Sequence, residues 1–252
     1  MSTELFIKIL LVILTCFLFV YILVPIVKKI ANHIGAMDEP NNRKIHKVPI
    51  PRLGGLAIFA GFLFGYMAFG KQNDLMTSIL IGSFIIIITG IIDDIKPLDA
   101  KVKLLGQLAA TLVVVFHGQI LLSSISAFGF YINFGILAYP ITILFILIFI
   151  NCMNLIDGLD GLATGISSIF FLTVGTIAIF KNSHGLDFML CFIMLGSCLG
   201  FLMHNRYPAK IFMGDTGSMF LGFIISIIAL LGFKNVTMTS LVIPFMIIAI
   251  PV

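Results

Sequence analysis

The chain has 252 residues, of which 60% are hydrophobic and 10% are charged, and its formal net charge is +4. Soluble proteins average about 45–50% apolar and about 25% charged residues, so this chain has too little polar surface to cover a water-soluble globule. With a mean hydropathy of +1.18, the composition predicts an integral membrane protein. It excludes a disordered chain, a disulfide scaffold and a soluble nucleic-acid-binding protein. The four cysteines lie in apolar stretches without metal-ligand spacing, and we interpret them as buried apolar side chains.

Nine apolar runs follow one another along the chain. They cover about residues 5–26, 53–70, 75–92, 104–122, 136–156, 162–180, 188–203, 219–233 and 239–252. Runs of this length predict an all-α polytopic bundle of about nine transmembrane helices, in a single domain over residues 1–252. The last run reaches Val252 without a flanking charge, so we expect the chain to be cut off inside a membrane segment and the untruncated protein to have ten or eleven helices.

The charged connections predict how the bundle is oriented. Eleven of the 15 basic residues fall in the connections 27–52, 93–103, 157–161 and 204–218. Since basic loops stay in the cytoplasm, these four connections are predicted to be cytoplasmic and the N-terminus external. Eight of the 11 acidic residues lie on the same side, which indicates a site as well as a topology signal. The uncharged connection Ile125–Gly135 alternates aromatic and small residues and predicts a short external β-hairpin.

Two adjacent carboxylates, Asp93 and Asp94, end the third apolar run. Adjacent carboxylates at a membrane interface repel each other unless a cation or a proton donor lies between them. The pair is therefore a candidate site. The alternative is a solvated start of a connection, with Lys96 as the charge partner.

The segment Asn151–Leu162 joins two strongly apolar runs and yet contains two Asn, two Asp and two Gly residues. Asn154, Asp157 and Asp160 recur every three residues, which places them on one face if the segment is helical. The two glycines permit a chain break or a close approach by a ligand. A simple turn would not need two acids and two amides at membrane depth, so the segment predicts a binding site.

A third acidic segment, Gly214–Ser218, opens the eighth apolar run with the sequence Gly-Asp-Thr-Gly-Ser. Such a turn at a helix N-terminus offers free N–H groups and a positive dipole end, which bind anions. Asp215 would repel the anion unless a divalent cation such as Mg²⁺ joins the two. The alternative for Asp215 is a helix cap alone. Phe212 is interpreted either as bundle packing or as a platform for a nucleotide base.

The first long connection carries a basic cluster from Arg43 to Arg52, next to prolines and a Gly-Gly pair. It can bind phosphate or anchor the chain to anionic head groups, and the two roles can coexist. Carboxylates, basic residues and an anion-binding helix start on one face together predict Mg²⁺-assisted phosphoryl chemistry at the membrane surface. The membrane location indicates that one substrate is a lipid.

Four motifs, in order, are those of a known family. They read RKIHKVPIPRLGG, GIIDD, NLIDGLDGLATG and N-x-x-P-A-K-x-F-M-G-D-T-G-S. Over nearly its whole length the chain resembles the polyprenyl-phosphate N-acetylhexosamine-1-phosphate transferases. Its IPRLGG sequence is similar to the branch that transfers N-acetylglucosamine 1-phosphate. The branch that acts on the muramoyl-pentapeptide nucleotide has Thr-Pro-Thr-Met-Gly-Gly at this point and is the alternative.

The resemblance implies that undecaprenyl phosphate reacts with UDP-N-acetylglucosamine, with Mg²⁺ or else Mn²⁺, to give a lipid-linked diphospho-sugar and UMP at the cytoplasmic face of the plasma membrane. It also implies three sets of residues: catalytic Asp93, Asp94 and Asp157; metal-binding Asp215 and Asn154; and substrate-binding Lys47, Arg52, Asp157, Asp160, Asn205 and Phe212. The expected partners are these two substrates and membrane lipid, without nucleic acid. A homodimer is left open.

The chemistry of the acceptor bears on the role of the aspartate pair. A phosphate monoester has a second pKa near ~6 and is largely dianionic at neutral pH, so it needs little help from a general base. We therefore favour Asp93 and Asp94 as positioning and metal-organising groups over proton acceptors. Two rival functions remain. A prenyltransferase would need D-x-x-x-D clusters, which the sequence lacks, and an anion transporter with a broken helix should place ionisable residues mid-span, where there are almost none.

Overall fold

The computed structural model describes residues 3–40, 48–71, 73–127, 130–183 and 185–232. Within these residues the chain forms eight helices: α1 Thr3–Ile34, α2 Gly55–Phe69, α3 Asp74–Ile95, α4 Ala100–Leu112, α5 Ala138–Ile156, α6 Leu162–Phe180, α7 Leu186–Asn205 and α8 Gly214–Gly232. A π-helical turn, Val113–His117, extends α4, and a 3₁₀ turn, Gly135–Leu137, precedes α5. Two antiparallel pairs of strands complete the described structure: β1 Met37–Asp38 with β2 Ile50–Pro51, and β3 Ser124–Ala127 with β4 Phe130–Asn133.

The protein is a polytopic helical membrane protein, as its composition predicts. In the described part of the chain, seven helices are long and apolar enough to cross a membrane. The eighth, α2, has only 15 residues, and a straight crossing needs about 20. The ninth predicted helix, 239–252, lies outside the described residues. The count of nine and the orientation of the N-terminus therefore stay predictions.

Three of the four charged connections are shorter than predicted. The first begins at 35 instead of 27, because α1 continues to Ile34. The second covers 96–99 instead of 93–103, and the last covers 206–213 instead of 204–218. Apolar runs end at the first charged residue, but a charged side chain can stay in a helix when the fold supplies it with a partner. Asp93, Asp94 and Asp215 all have such partners. The connection 157–161 has its predicted bounds.

Helix α8 forms the centre of the bundle. It packs against α3, α5 and α2, and its side chains from Thr216 to Leu230 are buried. Helices α1 and α7 pack side by side, where added Cβ atoms at Gly196 and Gly200 would lie 2.5 Å from the carbonyl oxygens of Ile13 and Phe17. Small residues four positions apart on a helix allow two helix backbones to approach this closely.

The four charged connections lie at one end of the bundle, because successive helices run in opposite directions. Backbone contacts tie them together: the N–H of Arg52 donates to the carbonyl of Ala36, and that of Gly54 donates to the carbonyl of Phe212. The predicted hairpin is confirmed at the other end, with Ser124 paired to Asn133 and Ala127 to Phe130. Its external location remains a prediction.

Candidate functional site

Three helices meet at the start of α8 with no side chain between them. A Cβ at Gly55 of α2 would lie 2.1 Å from the backbone nitrogen of Gly217. A Cβ at Gly90 of α3 would lie 2.4 Å from the Cα of Thr216. Any larger residue would push these backbones apart. The contact brings the end of α3, and hence its two aspartates, alongside the first turn of α8.

Asp94 caps the N-terminus of α8. Its Oδ1 accepts the backbone N–H of Asp215 at 2.9 Å, while its Oδ2 accepts the N–H and the hydroxyl of Thr216 at 3.0 and 2.6 Å. Gly214, at φ +72°, leaves room for this carboxylate, since a Cβ there would lie 2.5 Å from Oδ2. The prediction that these N–H groups are free to bind a phosphate is therefore wrong. The anion at this helix start is a protein side chain.

Arg52 joins three carboxylates from separate parts of the chain. Its Nε and Nη2 each lie 3.1 Å from Asp94 Oδ1, its Nη2 lies 3.3 Å from Asp215 Oδ2, and its Nη1 lies 3.6 Å from Asp38 Oδ1. Burial alone would lower the pKa of Arg52, but the charges of Asp94, Asp215 and Asp38 outweigh burial and raise the pKa. Arg52, which is predicted to contact the substrate, is thus paired with carboxylates of the protein itself.

Lys103 of α4 belongs to the site, although the sequence did not single it out. Its Nζ lies 3.0 Å from Asp215 Oδ1 and 3.2 Å from Asp93 Oδ2. Asp93 also accepts the backbone N–H of Leu98 at 2.7 Å, which fixes it to the connection that leads into α4. The sequence feature that could have indicated this role is the position of Lys103 at the start of an apolar run, ten residues after Asp93.

Asn154 and Asp157 bring the end of α5 to the same place. Asn154 donates from Nδ2 to Asp215 Oδ1, and to Ser218 Oγ at 2.9 Å. Burial, followed by the negative charges of Asp215 and Asp94, raises the pKa of Asp157 well above its ordinary value. Within the described residues no hydrogen bond reaches the Asp157 carboxylate. Repulsion between carboxylates in the site is therefore only partly compensated by Lys103 and Arg52.

Asp160 and Asn205 hold the connection 206–213 in place. Asp160 Oδ2 accepts the backbone N–H of Ala209 at 2.9 Å. Asn205 is 2% exposed; it donates to the carbonyl of Ile211 at 3.0 Å and accepts the Thr164 hydroxyl at 2.9 Å. The condition for a shared helical face of Asp157 and Asp160 is not met, because α5 ends at Ile156 and residues 157–161 form turns.

Phe212 is positioned by its backbone beside Arg52. Its N–H donates to the carbonyl of Pro51 at 2.8 Å, and its carbonyl accepts the N–H of Gly54 at 2.9 Å. The side chain is half-buried and lies three residues before Asp215. Both interpretations of the ring, as packing or as a base platform, stay open. Lys47, the remaining predicted substrate contact, lies outside the described residues.

The oxygen donors suit a metal ion that is shared with a phosphate. In the part of the chain that the structure describes, no group of three or more Asp, Glu, His or Cys side chains could hold a metal ion. Mg²⁺ usually binds one or two carboxylates and completes its shell with water and substrate phosphates. Asp215 and Asn154 have the donor types for that smaller requirement; here the Asn154 amide turns its Nδ2 to Asp215, and each Asp215 oxygen contacts a cationic side chain. Asp93 and Asp157 add negative charge nearby, which favours a cation.

Comparison with known proteins gives one consistent family. The profile of glycosyl transferase family 4 matches residues 76–233. Over its full length the chain is 46% identical to the probable undecaprenyl-phosphate N-acetylglucosaminyl 1-phosphate transferase of Bacillus subtilis and covers 71% of that protein. It is 33% identical, over 84% of its length, to the decaprenyl-phosphate N-acetylglucosaminephosphotransferase of Mycobacterium tuberculosis, of which it covers 57%.

A third relative is the undecaprenyl-phosphate alpha-N-acetylglucosaminyl 1-phosphate transferase of Escherichia coli. The two proteins are 31% identical over 83% of the chain, and the chain covers 59% of this relative. The chain therefore spans less than two thirds of the mycobacterial and Escherichia coli relatives. All three relatives carry N-acetylglucosamine in their names.

Proposed function

Since the chain belongs to glycosyl transferase family 4 and is a membrane phosphoglycosyl transferase, we propose that it transfers N-acetylglucosamine 1-phosphate from UDP-N-acetylglucosamine to undecaprenyl phosphate and releases UMP. The observation that carries the proposal is the meeting of Lys103 and Asn154 at Asp215, with Asp93 paired to the same lysine and Asp157 close enough to feel the charge of Asp215. The names of the three relatives favour N-acetylglucosamine over the muramoyl-pentapeptide alternative. Membership of a transferase family favours an enzyme over an anion transporter.

The proposed reaction is a single displacement at phosphorus. An oxygen of the lipid phosphate forms a bond to the β-phosphorus of the nucleotide sugar. The bond from that phosphorus to the bridging oxygen breaks, and UMP leaves with the electron pair. The attacking monoester is largely dianionic at neutral pH, with a second pKa near ~6, so no protein base is required. The main demand on the protein is positive charge and orientation.

Lys103 and Arg52 supply fixed positive charge to the reacting phosphates. Both contact Asp215, Lys103 at 3.0 Å and Arg52 at 3.3 Å. A phosphate bound beside Asp215 is therefore within reach of two cationic side chains, one from α4 and one from the first connection. Arg52 offers a planar fork that matches phosphate oxygens, and Lys103 offers a compact point charge. Their present partners, Asp93, Asp94 and Asp215, keep them in place before substrate binds.

Asp215 and Asn154 would hold Mg²⁺, and the ion when bound neutralises charge on the diphosphate and on the departing UMP. Mn²⁺ prefers the same oxygen ligands and is the alternative ion. An added positive charge beside Asp215 would also favour the ionised form of Asp157, because an opposite charge nearby lowers the pKa of a carboxyl group.

Asp94 is proposed to position α8 instead of accepting a proton. Two N–H groups, one hydroxyl and the Arg52 guanidinium already donate to its two oxygens, which uses about all the lone pairs that a carboxylate has. Asp93, with Lys103 and Leu98 as its partners, keeps more accepting capacity for the site. Phe212 is proposed to stack on the uracil base, which contributes about 1–3 kcal/mol in comparable contacts.

The site is proposed to face the cytoplasm, in the plasma membrane. The basic connections lie at the same end of the bundle as the carboxylates, and basic connections are retained on the cytoplasmic side. This orientation also places the proposed nucleotide at the charged end and leaves the hairpin Ser124–Asn133 on the opposite face.

The test uses membranes that contain the full-length protein, UDP-N-acetylglucosamine labelled in the sugar, and undecaprenyl phosphate. We expect label in the lipid extract and an equal amount of UMP, and neither product when undecaprenyl phosphate is omitted. Membranes with the Asp215→Asn variant are the matched control. Transfer from the muramoyl-pentapeptide nucleotide, with none from UDP-N-acetylglucosamine, would overturn the proposal and favour the other branch.

A further inference from the structure

Helix α1 is longer than the membrane is thick. Its 32 residues span about 48 Å at 1.5 Å per residue, against a hydrocarbon core of about 30 Å. The apolar part of the helix gives way to Lys28 and Lys29. Its neighbour α7 ends at Asn205 and is followed by Arg206 and by Tyr207, which is 78% exposed. These residues therefore lie at the level of the lipid head groups.

A histidine joins the two helices at this level. Pro25 has no N–H, so the carbonyl of Tyr21 lacks its donor within α1. His204 of α7 lies with Nε2 3.1 Å from that oxygen, and its ring centre is 4.8 Å from the ring of Tyr21. Since a carbonyl only accepts, Nε2 carries the hydrogen. His204 thus completes the hydrogen bonding of α1 and fixes the end of α7 against it.

Together with Lys28, Lys210 and Arg206, which follows two residues later, this histidine defines the α1–α7 basic patch: Lys28, His204, Arg206 and Lys210. The backbone N–H of Lys210 donates to the carbonyl of His204 at 2.9 Å. Lys28 lies seven residues after Tyr21, two turns along the same face of α1. The charges of Lys28 and Lys210 both act on the His204 ring.

The described part of the chain gives the patch no acidic partner. Among the described residues, no ion pair involves Lys28, Arg206 or Lys210. Asp160 contacts the connection that follows α7 through its Oδ2, which accepts the backbone N–H of Ala209. The patch therefore carries three basic side chains and one histidine that have no acidic partner among the described residues. Beside them, α1 exposes Ile22 by 65% and Ile26 by 52%, which offers an apolar surface to an acyl chain.

We propose that the α1–α7 basic patch binds the phosphodiester head group of an anionic phospholipid of the bilayer, of the phosphatidylglycerol type. Basic pockets between membrane helices bind anionic head groups in this way. Arg206 can present a fork to the phosphate, and the exposed Tyr207 is a side chain typical of the interface.

The site is separate from the proposed catalytic cluster but connected to it by the chain. The segment from Arg206 to Met213 begins in the patch, is held by Asp160 in its middle, and ends next to Asp215. A head group that contacts both Lys28 and Lys210 would hold the end of α1 against the segment that follows α7. Bound lipid is therefore expected to stabilise the folded protein, independently of nucleotide.

The test compares two variants that each lose two positive charges from the same end of the bundle. Lys28→Gln/Lys210→Gln removes the patch, and Lys96→Gln/Lys101→Gln removes two other exposed lysines as the matched control. The purified full chain is placed in mixed micelles with phosphatidylglycerol or phosphatidylcholine. Thermal unfolding and native mass spectrometry then measure stabilisation and lipid binding.

We expect phosphatidylglycerol to raise the unfolding temperature of the wild type and of the control variant more than phosphatidylcholine does. The patch variant should lose at least about half of that difference and bind phosphatidylglycerol about 25-fold more weakly, since each of its two lysines contributes roughly fivefold near anionic lipid. Arg206→Gln alone should show a smaller loss of the same kind.

Two results would overturn the proposal. Equal losses in the patch and control variants would mean that only the overall surface charge matters. Patch-dependent binding of undecaprenyl phosphate that is tighter than that of phosphatidylglycerol would assign the patch to the lipid substrate instead of a bilayer phospholipid.

Discussion

The end of α3 and the turn after α5 each carry two aspartates, and the two regions divide the work in the same way. At the end of α3, Asp94 accepts backbone N–H groups of Asp215 and Thr216, and Asp93 is left with Lys103. After α5, Asp160 accepts a backbone N–H of the connection 206–213, and Asp157 is left near Asp215. In each region one carboxylate holds the segment that contains or precedes Asp215, and the other adds charge beside it.

The regions differ in how that second charge is compensated. Asp93 has a lysine at 3.2 Å and a backbone N–H at 2.7 Å. The negative charges of Asp215 and Asp94 raise the pKa of the half-buried Asp157, beyond the effect of burial. The second acid of α3 thus has a lysine and a backbone N–H as donors before substrate or metal arrives, whereas no hydrogen bond reaches the Asp157 carboxylate within the described residues. Two pairs of acids that look alike in sequence can therefore differ in how the fold compensates their charge.

The largest effect is expected at Asp215, the carboxylate that both regions surround. Asp215→Asn keeps the size of the side chain and can still accept hydrogen bonds, so folding should survive. Turnover should fall by at least about 100-fold, the order lost when one electrostatic stabiliser of the transition state is removed. Turnover and thermal unfolding are measured on the same purified sample. Near-normal turnover would remove Asp215 from the proposed metal site.

The second test separates the two acids of α3. Asp94→Asn replaces one accepting oxygen by an N–H₂ group that faces other donors, and each buried donor left unpaired costs about 1–3 kcal/mol. We expect a clear drop in the unfolding temperature together with lower turnover. Asp93→Asn is the matched variant. It keeps an acceptor for Leu98 and should lose about tenfold or more in turnover at a nearly native unfolding temperature. The reverse pattern would exchange the two roles.

The third test addresses Asp160, the holding member of the α5 pair. Asp160→Ala removes the acceptor of the Ala209 N–H, and a hydrogen bond contributes about 0.5–1.5 kcal/mol net. The KM for the nucleotide sugar should rise roughly twofold to tenfold, with a smaller change in kcat, because Phe212 lies on the loosened connection. Asp160→Asn keeps an acceptor oxygen and should restore the KM. A failure of that rescue would indicate that the charge of Asp160 matters by itself.

The smallest effect is expected from Asp157→Asn, and it concerns stability. The folded protein holds a proton on Asp157 more tightly than the unfolded chain does, since the pKa is raised. Ionisation of Asp157 therefore costs stability as pH rises from the ordinary aspartate pKa through the raised value. The variant does not ionise, so its unfolding temperature minus that of the wild type should grow with pH and then level off. A difference that shrinks with rising pH would mean that the Asp157 carboxylate is stabilised in the fold.

Much of the fold follows from the sequence for a simple reason. Within a bilayer every backbone group needs an internal hydrogen bond, so a long apolar run has almost no alternative to a helix. All eight described helices lie within or around predicted runs. Their ends could not be predicted as well, because Asp93, Asp94 and Asp215 remain helical only through partners that the fold supplies.

The sequence predicts which segments form the site, but not which side chains contact each other within it. The acidic segments at 93–94, 157–160 and 214–218 were identified from charge in an apolar context, and their central aspartates do converge. The capping of α8 by Asp94 was not predictable, since it depends on how closely Gly90 lets α3 approach. Lys103 was missed for a related reason: a lone lysine at a helix start usually indicates only the membrane boundary.

The glycine contacts at Gly55 and Gly90 leave no side chain to absorb a movement of α2 or α3 against α8. Flexible side chains between two helices usually absorb small rotations, but here backbone rests on backbone, with no room for even a methyl group. We therefore expect a change in the tilt of α3, such as one imposed by a thicker or thinner bilayer, to alter the spacing of Asp94 and Asp215. Turnover in vesicles of phosphatidylcholines of graded chain length should accordingly peak sharply at one thickness, and a flat profile would show that the helices move as one unit.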